Sequence, residues 1–215
     1  MRIWIARHGE SEGNLAGTLQ GCRIDTPLTA NGRRQAEAMA IALAGAQVDA
    51  VVASPLQRAR ETAGTVAAPH GLGLSLDLEL VEYDWGQWTG LSLDEEMERR
   101  VTQLRARWRS GDVDARPPEG ESPVRAARRL RRVLDRVVAS GARAPLLVGH
   151  GRSNRILLCV LLGRDLSRMD EVRQRNASVS LLEWDGEGPA VPLVLDDVGH
   201  LGSLPTSPGI LDAVR

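Results

Sequence analysis

The chain begins Met1-Arg2-Ile3-Trp4-Ile5-Ala6-Arg7-His8-Gly9-Glu10-Ser11. A short apolar run, residues 2–6, reads as a buried strand, and a guanidinium and an imidazole follow it at once. The pattern returns twice. Residues 48–53 lead into Ser54-Pro55-Leu56-Gln57-Arg58, and residues 145–148 lead into Gly149-His150-Gly151. Amphipathic stretches lie between. In 29–45, Ala36, Met39, Ala40 and Leu43 repeat at three and four, and Thr29 is placed to cap the start. Helices are also expected over 56–68 and 153–162, and short strands over 74–78, 178–184 and 191–195. This alternation predicts an α/β fold: three layers, α/β/α, around a mostly parallel central sheet.

Residues 91–141 break the alternation. Two helical stretches flank a Pro-Pro-Glu-Gly-Glu-Ser break at 117–122. The second stretch sets Val124, Ala127, Leu130, Val133, Leu134 and Val137 on one face, and Arg125, Arg128, Arg129, Arg132 and Arg136 on the other. The segment reads as a small helical cap insertion over one edge of the sheet. Residues 1–202 then form one domain, and 203–215, rich in Pro, Ser and Gly, a flexible tail.

Composition narrows the chemistry. All 27 basic residues are arginine, which excludes a lysine Schiff base and a Walker A phosphate loop. A net charge of −1 gives no support to nucleic-acid binding. The longest apolar run, 156–162, is too short to span a bilayer, and the N-terminal one is too short for a signal peptide. Cys22 and Cys159 are far apart and in no paired motif, which argues for a reducing, cytoplasmic setting and against a zinc site. No metal and no cofactor is expected.

Parallel strands share one carboxyl edge, and ligands bind beyond it. Two histidines and at least two arginines should meet there. Arginine presents paired donors that match phosphate oxygens. It also disfavours a charged imidazole beside it, which leaves that ring neutral and nucleophilic. A carboxyl is still needed to protonate a leaving oxygen. Glu82 is the best-placed candidate, with Asp84 the competitor.

Arg7-His8-Gly9-Glu10-Ser11 with Asn14 resembles the signature of the histidine phosphatase superfamily, the phosphoglycerate mutase-like proteins of branch 1. Further blocks follow in family order: Gln20-Gly21 with Asp25-Thr26-Pro27-Leu28-Thr29, Ala53 to Ala63, Glu82 to Gly90, Gly120-Glu121-Ser122 and Gly149-His150-Gly151, with a weaker echo from Asp197 to Leu201. The resemblance implies that His8 attacks phosphorus, that Arg7, Arg58 and His150 bind the phosphoryl oxygens, and that Glu82 is general acid, then general base. It implies that Ser11, Asn14, Gln20, Gly21 and Gly151 line the phosphate pocket, and that Gly9 and Gly151 let backbone approach the phosphate.

Plainer readings stand beside these. His8 alone reads as an ordinary strand-end histidine, Arg58 as a helix-surface partner of Glu61, and Glu82 as a solvated turn carboxylate. Arg99, Arg100, Arg105, Arg107 and Arg109 read mostly as a solvated helix face. Arg152 departs from the family's small-residue loop and points either to solvent or to a second anionic group. The expected activity is metal-independent hydrolysis of a small-molecule phosphate ester through a phosphohistidine. A cofactor-dependent phosphoglycerate mutase and a non-catalytic phosphate-binding module are the alternatives. Nucleic acid and membrane are not expected partners, and a homodimer is left open.

Overall fold

A computed structural model describes residues 1–206 of the chain. The elements run β1 (Arg2–Arg7), α1 (Glu12–Leu15), α2 (Ala30–Leu43), β2 (Ala50–Ala53), α3 (Gln57–Ala67), β3 (Leu74–Leu76), α4 (Glu95–Arg109), α5 (Pro123–Ala139), β4 (Pro145–Gly149), α6 (Gly151–Leu161), β5 (Val179–Glu183) and β6 (Val191–Asp197), with short 3-10 turns between some of them. The strands form one sheet in the order β3-β2-β4-β1-β5-β6. β3, β2, β4 and β1 pair in parallel, whereas β5 runs antiparallel to both β1 and β6. The mostly parallel sheet expected from the strand–helix alternation is therefore present, with one reversed strand near an edge.

Alternation along the strands divides the core in two. Ile3 and Ile5 of β1, Leu147 of β4 and Leu182 of β5 face a cluster filled by α5 and α6. Ala6, Val51, Ala53, Leu146 and Val148 face the other way, onto α2 and α3. The helices start where capping chemistry starts them. The Thr29 hydroxyl accepts from Gly32 N, the Asp94 carboxylate from Met97 N, and the Ser122 hydroxyl from Arg125 N with Pro123 just inside. Glu95, Glu96 and Glu98 in the first turn of α4 and Arg107 and Arg109 in its last complement the helix dipole.

Two expectations change. The segment 91–141 does not lie over an edge as one piece. Pro123, Ala126, Leu130, Val133, Leu134 and Val137 of α5 are buried in the same cluster as Ile3 and Ile5, so α5 is part of the layer that covers the sheet. The apolar stripe was long enough to require a full sheet face. The predicted tail also begins docked. Leu204 packs on the α2–α3 side, and Pro205 O accepts from Asn31 Nδ2 and Gln35 Nε2. The rest of that tail, 207–215, lies outside the described residues. Among the described residues no helix is long and apolar enough to cross a membrane.

Candidate active site

The carboxyl ends of β1, β2 and β4 open on one cleft. Arg7, His8, Asn14, Gln20, Gly21, Arg58, Glu82 and Gly151 line it, together with Thr18, Leu19, Trp85, Arg152, Arg155 and Gln174. His150 stands directly behind His8, with ring centroids 5.1 Å apart and planes at 61°. Ser11 is also behind the wall. It caps α1 and accepts from Gln20 Nε2, so it sets a wall residue in place. The two rings and two guanidinium groups predicted to meet do meet.

The β1 main chain carries the nucleophile candidate straight off the sheet. His8 N donates to Gly149 O at 3.1 Å, and His8 O accepts from Ala177 N at 3.1 Å. His8 Nδ1 lies 2.6 Å from Gly9 O. A carbonyl only accepts, so Nδ1 carries the proton and the lone pair sits on Nε2. Burial, then Arg58 and Arg7, push the His8 imidazole well below its ordinary value of 6.5. Burial, then Arg58, His8, Arg7 and Arg129, do the same for His150. Both rings are therefore neutral at pH 7. Neither nitrogen of His150 has a hydrogen-bond partner among the described residues, although the residue is fully buried. A buried polar group in that state costs about 1–3 kcal/mol, and such groups mark functional sites.

The arginines are held by main-chain carbonyls. Arg58 donates from Nη1 to Ile24 O at 3.0 Å and from Nη2 to Gly21 O at 2.9 Å. Arg7 Nη1 donates to Gln174 O at 2.5 Å. The carbonyls fix the direction of both guanidinium groups at the cleft, and Arg58 also pairs with the half-exposed Asp25 carboxylate at 3.8 Å. Arg58 is 1% exposed, which removes its reading as a surface partner of Glu61; Arg60 is the exposed neighbour. Gly9 has a different reason from the one expected. A Cβ there would lie 2.4 Å from Gly32 O of α2, so the close approach is helix to loop. At Gly151 a Cβ would meet the Arg7 guanidinium at 3.4 Å.

α6 has no side-chain cap of its own. The Glu82 carboxylate supplies it from a distance, accepting from Ser153 N at 2.8 Å and Arg152 N at 3.2 Å. Glu82 thus lines the cleft at the mouth of α6. Asp84 is turned elsewhere: it accepts from Arg23 Nε and Nη2 at 2.9 and 3.0 Å and from Gly86 N.

Arg152 does not reach into solvent. It is 4% exposed, its Nη1 meets Asp170 Oδ1 at 2.5 Å, and its guanidinium lies 5.3 Å from the Trp108 ring centroid. Arg105 and Arg155 converge on the same carboxylate. Burial would raise the Asp170 carboxyl, but Arg152 and Arg105 hold it well below the usual carboxylate range. In α4, Arg99 and Arg100 pair with Glu96 on the surface, as the solvated-face reading expects. Arg105 is the exception. Burial, then Asp84 and Glu121, push the Cys22 thiol up to about 11, so it is unreactive at neutral pH. Among the described residues no group of three His, Cys, Asp or Glu side chains is placed to hold a metal ion.

The sequence does not single out Thr18, Leu19, Gln174 or Arg155, and of the two places open to Trp85, beside the substrate or under the insertion, the structure puts it on the cleft wall. Arg155 had a signal, one turn after Gly151 on a predicted helix. Gln174 acts on Arg7 through its backbone oxygen, which leaves no mark in a sequence.

The family described as histidine phosphatase superfamily (branch 1) matches residues 3–197. A probable phosphoglycerate mutase GpmB of Proteus mirabilis is 33% identical over 211 residues, spanning 94% of this chain and 95% of that protein. Among solved structures, a mycobacterial glucosyl-3-phosphoglycerate phosphatase in complex with VO3 is 32% identical, with a TM-score of 0.80 over 91% of this chain and 98% of the other. The alpha-ribazole phosphatase of Shigella flexneri is 28% identical, with a TM-score of 0.77 over 92% and 96%.

Proposed function

The chain belongs to the histidine phosphatase superfamily, branch 1, and from that footing we propose that it is a metal-independent phosphomonoesterase acting on a small phosphorylated metabolite through a phosphohistidine. The observation that carries this reading is the neutral His8 imidazole on the cleft wall with Arg7 and Arg58, backed by the second neutral ring, His150, with centroids 5.1 Å apart. His8 Nε2 attacks phosphorus as the ester P–O bond breaks. The leaving oxygen takes a proton from Glu82. Water then attacks the phosphohistidine and gives a proton to the Glu82 carboxylate, and the P–N bond breaks with its electron pair returning to Nε2. Arg7, Arg58 and a donated N–H from His150 stabilise the charge on the transferring oxygens, which is the service a metal ion performs in other phosphoryl-transfer sites. The substrate is expected to be a small ester such as a sugar phosphate or a phosphoglycerate derivative, and the two thiols suit a reducing compartment such as the cytoplasm.

The relatives' name keeps a mutase in view as the second reading. Hydrolysis is favoured by the short stretch between Glu82 and His150, 68 positions. Part of that stretch, α5, is spent on covering the sheet, which leaves little chain to close the cleft against water. A binding module without turnover is disfavoured because every position the chemistry needs is filled. The test is release of inorganic phosphate from a panel of phosphorylated metabolites in excess chelator, with vanadate as inhibitor. Turnover that needs added magnesium would overturn metal independence. Primed interconversion of 2- and 3-phosphoglycerate without phosphate release would overturn hydrolysis.

A further inference from the structure

Residues 81–85, which carry Glu82, belong to no strand or helix; they run between 3-10 turns at Leu78–Leu80 and Gly86–Trp88. Their main chain is nonetheless held on both sides of Glu82 by two residues that do not line the cleft. Arg129 of α5 donates from Nη1 to Glu79 O at 2.6 Å and to Val81 O at 2.9 Å, and from Nη2 to Glu82 O at 3.4 Å. The same guanidinium grips Glu121, with Nε to Oε2 at 3.0 Å and Nη2 to Oε1 at 2.6 Å. Glu121 completes the frame on the far side. Its Oε1 accepts from Asp84 N at 3.0 Å, its N donates to Asp84 O at 3.0 Å, and its O accepts from the Tyr83 hydroxyl. Both side chains are 12% exposed. Arg129 departs from the stripe of arginines it belongs to: Arg132 and Arg136 bond only to carboxylates at the surface, while Arg129 is turned onto three carbonyls. A planar fork with five donors can serve a carboxylate and a row of carbonyls at once; an ammonium cannot.

We propose that Arg129 and Glu121 are positioning residues for the proton donor: together they fix the backbone around Glu82 so that its carboxyl stands over the cleft against the first amides of α6. This rests on the reading of Glu82 as general acid. A merely structural pair would, when broken, lower turnover of all substrates alike. A positioning pair lowers it where protonation of the leaving group matters. The experiment compares kcat/KM for an alkyl phosphate and for 4-nitrophenyl phosphate, whose leaving group needs little protonation, in wild type, Arg129→Gln, Glu121→Gln and Glu82→Gln. Arg129→Gln should lose about 10- to 100-fold on the alkyl ester and less than about 3-fold on the nitrophenyl ester, and should add little to the alkyl-ester loss when combined with Glu82→Gln. Glu121→Gln keeps the side-chain size and an acceptor for Asp84 N. It should show the same split at smaller size, and so carries the test if Arg129→Gln does not fold by circular dichroism. Equal losses on both esters, or a loss fully additive with that of Glu82→Gln, would overturn the proposal while leaving the acid in place. Absence of the split in Glu82→Gln itself would overturn the general-acid reading and this proposal with it.

Discussion

At the His8 end of the cleft, the proposed phosphate end, side chains take their places from the sheet. Arg7 ends β1, His8 follows it with its own N–H and C=O still in strand-like bonds, and His150 follows β4, the strand paired with β1. At the other end, Glu82 sits on irregular backbone and is placed by Arg129, Glu121 and two amides of α6. The first arrangement ties chemistry to the fold itself. The second depends on a few side-chain bonds that can be cut one at a time. Damage at the phosphate end should therefore abolish reaction with every ester, and damage at the proton end should depend on which ester is offered.

The largest effect tests the first half of that contrast. His8→Ala should remove the acid-labile phosphoenzyme and lower kcat by about 10⁴-fold or more on alkyl and aryl esters alike. Trapping of radiolabelled phosphate on the variant would place the nucleophile elsewhere. Next comes Glu82→Gln, expected to slow alkyl phosphates by about 10²- to 10⁴-fold and nitrophenyl phosphate only a few-fold. Equal losses would erase the distinction between the two ends and return attention to Asp84, now paired with Arg23. The smallest effect concerns stability. His8 and His150 are neutral in the folded chain well below pH 6.5, while in the unfolded chain they bind protons there. The unfolded state then carries more protons, so stability falls as pH drops below about 6.5, by up to about 1.4 kcal/mol per pH unit for each ring. Melting in phosphate-free buffer should shift down between pH 7.5 and 5.5, and most of the shift should vanish in His8→Asn/His150→Asn. An identical shift in that variant would detach the two imidazoles from the acid sensitivity of the fold.

The difference between the two ends also decides what could be read in advance. Strand ends are legible, because an apolar run that stops at Arg7, or at Gly149-His150, states both the strand and what stands at its tip. The resemblance of the short blocks to a family added roles to those tips. The holding of Glu82 was not legible. Five arginines on one face of α5 read alike in one dimension, and Arg129 differs only because packing brings Glu79, Val81 and Glu82 carbonyls beneath it. Arg105 hides in the same way among the exposed arginines of α4, turned inward by Asp170, which lies 65 positions away. The reversal of β5 was hidden too. A strand's residues fix its faces but not its direction, and an apolar run such as 178–184 suits either.

That reversed strand has a further result. Because β5 runs against β1, the loop that enters it, and not the one that leaves it, arrives at the cleft. It brings Gln174 O to Arg7 and Asn176 Nδ2 to Asn14 Oδ1. In the order of synthesis His8 precedes its neighbour's tether, Gln174, by 166 positions. At ribosomal speeds of about 5–20 residues per second the two are separated by roughly ten to thirty seconds. A nascent chain thus carries its imidazole well before it owns the loop that holds the neighbouring guanidinium in place.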